Sequence, residues 1–329
     1  MRAVGVESFG GAEELTLMDA PRPEPGPGEA LLRIARAGVN YIDVYMRSGV
    51  YKRSETYKTP LPMTLGMEGA GEVVAVGPGV DPGWVGRRAA YCLSRGSYAE
   101  CAAVPAWRLV PIPDGVSDEI ACALMLQGAT AHYLTHDCAP LAPGDACLVH
   151  AAAGGVGQLL VQLAKARGAT VMATAGTAEK AEIARARGAD HVILYRDEDF
   201  LPRVREITGG AGVAAVYDSV GRDTVDRSLR CLRRRGTCVL FGASSGVVEC
   251  VEPLALAEAG SVFFTRPHLA DYMRDAAEIG ARARDLFGLV ESGGLTVTLD
   301  RTFPLAEAAA AHRALEGRES RGKLLLDAG

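Results

Sequence analysis

The chain has 329 residues, enough for two domains of ordinary size, of which 48% are hydrophobic and 23% charged. A net charge of −5 with no long basic run argues against nucleic acid or membrane as the main partner, and no apolar run reaches membrane-spanning length. The start, MRAVGVESFG, lacks a cationic segment followed by an apolar core. The eight cysteines form no C-x-x-C pair and mostly sit in apolar runs, which predicts reduced core residues in a cytoplasmic protein.

Residues 1–120 read as mostly β. MRAVGVESF, ELTLMDAP, EALLRIARAGV, GAGEVVAVG, RRAAYC, YAECAAVP and RLVPIP are short alternating or apolar runs, broken at short intervals by Pro and Gly. They predict a compact, partly open β-barrel. From Asp118 the pattern turns helical, and Leu141–Asp145 marks the entry to a different unit.

The stretch from Cys147 to Tyr195 organises the rest. CLVHA is a strand-type run, AAAGGVG a tight turn, and Val156, Leu159, Leu160 and Leu163 recur at helical spacing. Gly168 sits where a helix stop belongs, and TVMAT restores a strand. Strand, glycine turn, helix, strand is the unit that holds a dinucleotide. Gly154 lets the backbone approach a pyrophosphate, Gly157 lets helix pack on strand, and the helix N-terminus offers unpaired N–H groups to the phosphates. The first place of G-x-G-x-x-G falls on Ala152, so the match is imperfect.

The end of the second strand selects the cofactor. An NAD site places an acid there to accept from the ribose hydroxyls. Here the strand ends Thr174-Ala175-Gly176-Thr177, and Lys180 follows in the next helix. A missing carboxylate and a nearby cation predict NADPH over NADH.

Beyond it, strands and helices alternate. Helix 178–187 stops at Gly188, HVILY is a strand, DEDFLPRVREITGG a helix, GVAAVYDSV a strand and GRDTVDRSLRCLRRRG a helix. TCVLFG and SVFFTRP are strands. The basic cluster Arg230–Gly236 reads as a solvated helix end. Such alternation requires a parallel sheet with ligands at the strands' C-terminal ends, here Ala151, Ala175, Ser219 and Gly242. Helix 271–291, a strand near Leu295–Leu299, helix 305–316 and a strand Lys323–Leu326 complete the chain and are too short for a third domain. Strand Ser261–Thr265 comes late in the sheet. As an edge it would be hidden by pairing across a two-fold, which predicts a homodimer.

NYIDVYMRSGVY, GMEGAGEV, HAAAGGVGQLLVQLAKARGA, GADHVILYR, YDSVGRDT and LFGASSG fall in an order and spacing that resembles the zeta-crystallin-like NADPH-dependent quinone oxidoreductases, the zinc-free branch of the medium-chain dehydrogenases/reductases. The resemblance spans nearly the whole chain. It implies an α/β protein: a Rossmann doubly wound parallel sheet over 123–265, and a GroES-like partly open β-barrel formed by 1–122 and the returning 266–329. It implies cofactor positions at Thr130, Gly154, Gly155, Val156, Gly157, Gly176, Thr177, Lys180, Tyr195, Ser219, Phe241, Gly242, Ser244 and Arg321. Lys180 and Tyr195 match the 2′-phosphate and adenine side. Asn40, Tyr45 and Tyr51 match the nicotinamide and substrate end.

Zinc relatives carry Cys where Asn40 stands and His where Met67 stands, so two expected metal ligands are missing. His132, His136 and Cys138 read as an ordinary helix face. Without a metal, hydride transfer suits an acceptor that is already electrophilic, such as a quinone. Tyr45 and Tyr51 are placed to stack on a flat ring and to hydrogen-bond a developing oxyanion, and Asn40 to donate through its amide. Two alternatives stay open: reduction of the activated double bond of an enal or enone, and a non-enzymatic NADPH-binding protein of crystallin or RNA-binding type.

Overall fold

A computed structural model describes residues 1–329. The chain forms two compact units, Met1–Ala129 with Met273–Gly329, and Thr130–Tyr272. Both boundaries fall a few residues later than the 122/123 and 265/266 read from the sequence.

In chain order the first unit contains β1 (Arg2–Val6), β2 (Thr16–Asp19), β3 (Glu29–Val39), α1 (Tyr41–Arg47), β4 (Met63–Thr64), β5 (Glu68–Val76), β6 (Arg88–Cys92), β7 (Cys101–Pro105), β8 (Val110–Pro111) and α2 (Asp118–Ala123). Helix α3 (Ala129–Tyr133) spans the boundary. The second unit contains β9 (Ala146–Val149), α4 (Gly155–Ala166), β10 (Thr170–Ala175), α5 (Ala178–Ala186), β11 (His191–Leu194), α6 (Phe200–Ile207), β12 (Val213–Asp218), α7 (Val225–Cys231), β13 (Leu232–Leu240), α8 (Pro253–Glu258) and β14 (Phe263–Thr265). The chain then returns with α9 (Ala276–Glu291), β15 (Leu299–Pro304), α10 (Ala308–Glu316) and β16 (Lys323–Asp327) to complete the first unit.

The first unit is built on β3, which pairs antiparallel with β5, β7 and the late strand β16. Its alternation buries Leu32, Ile34, Ala37 and Val39 completely. The tail thus supplies a central strand, and Lys323 enters the middle of the barrel with it. In the second unit the sheet order is β11-β10-β9-β12-β13-β14, all parallel. That order reverses between β9 and β12, the switch point at which such sheets take their ligand. Beneath it, Leu148, Met172, Val216, Phe200 and Val204 form a buried core. Strand β14 is the last of the six, the edge position its sequence suggested.

Three local readings are corrected. Helix α7 stops at Cys231 and Leu232 opens strand β13 beside Val213, so Arg233, Arg234 and Arg235 lie in a strand instead of ending a helix. The strand placed near Leu295–Leu299 begins only at Leu299, because its partner is the tail strand β16. Helix α9 starts at Ala276, where Asp275 caps the N–H groups of Ala277 and Glu278 at 2.9 Å. No helix is long and apolar enough to cross a membrane.

Candidate active site

The phosphate turn lies between β9 and α4, as its sequence demands. Gly154 takes the N-cap position, and no side chain caps the N–H groups that open α4, the feature by which a helix N-terminus can receive an anion. A Cβ on Gly157 would collide with the Ala151 carbonyl oxygen and stand 2.7 Å from Ala152 Cα. Only glycine permits that approach. Ala151, the residue before the imperfect first motif position, takes φ +51°, a left-handed conformation that costs a non-glycine about 1–2 kcal/mol.

The turn after β10 carries Gly176, Thr177 and Lys180. Thr177 caps α5 by accepting the Lys180 N–H at 3.3 Å, which sets Lys180 at the helix's first turn. A Cβ on Gly176 would stand 2.6 Å from the Tyr195 hydroxyl, so Gly176 and Tyr195 share one face of this end of the sheet. No carboxylate ends β10, although exposed Glu179 is adjacent to Lys180. Beyond β12 and β13, Phe241 N–H donates to Asp218 O at 2.8 Å and Ser244 N–H to Ser219 O at 3.2 Å. Gly242 fits between, since a Cβ there would stand 2.5 Å from Ser219 O. Thirteen of the proposed cofactor positions lie in this unit; Arg321 lies in the other, in the exposed turn before β16.

Within the first unit, Asn40 starts α1 and is 3% exposed. Its side-chain amide is committed inward: Nδ2 donates to Glu68 Oε2 at 2.8 Å, and Oδ1 accepts from Lys323 Nζ at 2.7 Å and Gln127 Nε2 at 3.3 Å. Lys323 and Glu68, both essentially inaccessible, form an ion pair. Glu68 also accepts the Leu126 N–H at 2.5 Å through Oε1. That N–H is available because residues Leu124–Gly128 form a π-helical turn, and the Met125 carbonyl in the same turn accepts from the Cys92 thiol at 3.0 Å. The second N–H of Asn40 Nδ2 takes no part in these bonds.

A second string of buried polar groups supports α1 from behind. Asp43 accepts the N–H of Asn40 at 2.9 Å and of Met67 at 3.0 Å. Tyr98 Oη lies 3.4 Å from Asp43 and 3.0 Å from His312 Nε2. Arg47 Nη1 stands 3.3 Å from His312 Nδ1, and Arg47 Nη2 donates to Glu316 Oε1 at 2.8 Å. Because arginine only donates, His312 is neutral with its proton on Nε2, and Tyr98 points its own proton at Asp43. Burial, then Arg47, holds the His312 imidazole down to about 3. Burial raises the Asp43 carboxyl to about 7, opposed by the Asn40 N–H and Lys323.

The tyrosines form a continuous run. Ring centroids are 5.9 Å apart for Tyr41 and Tyr45, 5.4 Å edge-on for Tyr45 and Tyr51, and 5.2 Å stacked for Tyr51 and Tyr57. Tyr45 sits on α1 and is largely buried; Tyr51 follows in the loop, half-buried. Their flat, amphipathic surface suits an aromatic or conjugated acceptor. Sequence reasoning missed Lys323, Gln127, Tyr98 and His312. The one available signal was a lysine opening the apolar run KLLL.

Sheet order and glycine turn together give the second unit the form of a Rossmann-type dinucleotide-binding domain. The comparisons carry this further. A family model described as "Alcohol dehydrogenase GroES-like domain" matches residues 26–114, and one described as "Zinc-binding dehydrogenase" matches 155–278. The chain is 42% identical over 328 residues to a 2-haloacrylate reductase of Burkholderia sp., covering 98% of each chain. It is 42% identical over 320 residues to quinone oxidoreductase 1 of Escherichia coli strain K12, covering 96% of each. The crystal structure of an Escherichia coli quinone oxidoreductase complexed with NADPH superimposes with a TM-score of 0.95 at 40% identity, over 99% of this chain and 100% of that one. The chain belongs to the quinone oxidoreductase family of medium-chain dehydrogenases/reductases.

Zinc, implied by the name of one family model, does not fit the residues present. Asn40 and Met67 replace a thiolate and an imidazole, and an ammonium already occupies the acceptor oxygens of Asn40 and Glu68. His132 and His136 do not offer a second site: their rings stack at 4.0 Å, 5° from parallel, with His136 Nδ1 2.9 Å from the His132 carbonyl oxygen. Cys138 Sγ lies 3.2 Å from the Tyr272 hydroxyl.

Proposed function

We propose that this chain reduces quinones with NADPH. The observation that carries the cofactor is the end of β10: an acid-free turn, Ala175-Gly176-Thr177, with Lys180 in the first helical turn beyond it. A carboxylate there would repel a 2′-phosphate, and a cation attracts one. The glycine cradle and the open N-terminus of α4 fit the pyrophosphate, with Gly154, Gly155, Val156 and Gly157 supplying the approach. Thr130, Tyr195, Ser219, Phe241, Gly242, Ser244 and Arg321 complete the proposed cofactor contacts.

When bound, the nicotinamide supplies the hydride. Tyr45 and Tyr51 hold a planar acceptor, and the Tyr51 hydroxyl and the remaining Asn40 N–H stabilise the oxyanion that hydride delivery creates. A conjugated carbonyl spreads that charge itself, so positioning contributes the larger part and no Lewis acid is required. The same arrangement suits the activated C=C bond of an enal or enone, a second reading favoured by the 42% identity to a 2-haloacrylate reductase.

Lys180→Glu tests the cofactor: the NADPH KM is expected to rise far more than the NADH KM. An equal change in both would sink the assignment. We further propose a cytoplasmic homodimer. The eight cysteines are unpaired, and β14 is a sheet edge that exposes 61% of Phe263. Phe263→Lys should halve the mass seen by light scattering; a monomeric unsubstituted protein would reject this.

A further inference from the structure

A buried chain of hydrogen bonds runs across the cofactor sheet beneath its three turns. The Ala151 N–H donates to Thr174 Oγ1 at 3.3 Å. Thr174 Oγ1 lies 3.0 Å from His150 Nδ1, and His150 Nε2 lies 3.0 Å from Ser228 Oγ. Ser228 donates to Asp218 Oδ2 at 2.8 Å. The other oxygen of Asp218 accepts from Val220 N–H at 2.8 Å, Gly221 N–H at 3.1 Å and the Thr224 hydroxyl at 2.9 Å. None of His150, Thr174, Ser228 and Asp218 is more than 1% exposed.

The two ends fix every proton between them. An ionised Asp218 only accepts, so the Ser228 proton points to it. Ser228 Oγ must then accept from His150, which places the imidazole proton on Nε2. Bare Nδ1 accepts the Thr174 proton, and Thr174 Oγ1 is left to accept from Ala151. The opposite tautomer sets two lone pairs against each other at Ser228. An imidazolium leaves the Thr174 proton without its acceptor.

We propose that His150, locked as the Nε2–H tautomer, is a positioning residue that couples the phosphate turn at Ala151 to the turn at Ser219–Gly221. The inference rests on the reading of these turns as the NADPH site. Its consequence is that contacts at the pyrophosphate and at the Ser219 end form or fail together. The left-handed Ala151, strained and solvent-facing, is pinned in place by this chain. His150 faces Thr174 on β10, Ser228 and Arg227 on α7, Asp218 on β12 and, edge-on at 4.8 Å, the Phe200 ring on α6. Burial depresses its basicity, Asp218 opposes this and Arg227 adds to it. NADPH affinity should therefore be flat above pH 6.5 and weaken only in acid.

The experiment is a double-mutant cycle on NADPH Kd with Thr174→Val and Ser228→Ala, which remove one hydroxyl at each end of the imidazole. Each single variant should weaken binding on the order of tenfold, and the pair little more than either alone. A pair whose loss is the product of the singles, or singles that lower Tm with Kd unchanged, would overturn the coupling. Independently of folding of the variants, 15N NMR of the unsubstituted protein should show His150 protonated at Nε2; a proton on Nδ1 would overturn the chain of donors. Failure of the unsubstituted protein to bind NADPH would instead bring down the cofactor reading, and the inference with it, before any variant is compared.

Discussion

Lys323→Met removes the cation from a pair that is sealed inside the first unit. Glu68 is fully inaccessible and Lys323 is 1% exposed, so solvent screens neither charge. After the substitution Glu68 keeps only the Asn40 amide and the Leu126 N–H, and its charge has no counterion. Breaking one side of a buried pair costs about 3–5 kcal/mol, chiefly from the stranded charge. For a unit of this size that lowers Tm by about 6–20 °C. Neutralising the partner should recover most of the loss: in Glu68→Gln/Lys323→Met the amide still accepts from Leu126 and no charge is buried. Denaturant titration followed by tryptophan fluorescence reports on this unit alone, since both tryptophans, Trp84 and Trp107, belong to it. A single variant that loses less than about 1 kcal/mol, or a double variant no better than the single, would refute the claim that charge burial dominates here.

Gly157→Ala should weaken NADPH binding and cost about 1–3 kcal/mol, because the new methyl meets backbone that cannot move aside; unchanged NADPH affinity by fluorescence titration would contradict the tight-turn argument. Tyr51→Phe and Asn40→Ala should lower kcat/KM for quinones while NADPH affinity survives, and normal turnover in both would remove these residues from the proposed site. His312 is held neutral in the fold, to about 3, while the unfolded chain takes up a proton near 6.5. Its contribution to stability is therefore complete above pH 6.5 and is lost as pH falls from there towards 3, by up to about 1.4 kcal/mol per pH unit. Stability measured from pH 7 to 4 should fall less steeply in His312→Gln, and parallel curves would show that this imidazole is not responsible.

The Rossmann unit was legible because its sequence repeats one local rule. Apolar run, turn and amphipathic helix recur with glycines at Gly168 and Gly188 ending each helix, both in the left-handed region. The β-rich unit was legible only as a set of strands. Its closure depends on β16, a tail strand that pairs with β3 across nearly three hundred residues, and no local pattern announces such a partner. The same distance hides the candidate site's support. Asn40, Glu68, Gln127 and Lys323 come from four separate elements, so each reads alone as an ordinary polar residue. Arg233–Arg235 were misread for the opposite reason: charge at a helix end is a strong local signal, but the pairing of Leu232 with Val213 of β12 ends the helix before them. Asn40, Tyr45 and Tyr51 lie near one another in sequence and were placed by family likeness, not by spacing.

Hydride passing from a phosphorylated nicotinamide to a conjugated acceptor is observed most directly by stopped flow. The protein, treated with chelator and kept anaerobic, is mixed with NADPH and then with 1,4-benzoquinone or an alkenal. The account predicts that NADPH disappears in step with hydroquinone formation, more slowly with nicotinamide deuterated at the transferred position, and that chelation leaves the rate unchanged. NADPH that persists beside both acceptors, or a rate that returns only when zinc is restored, would contradict it.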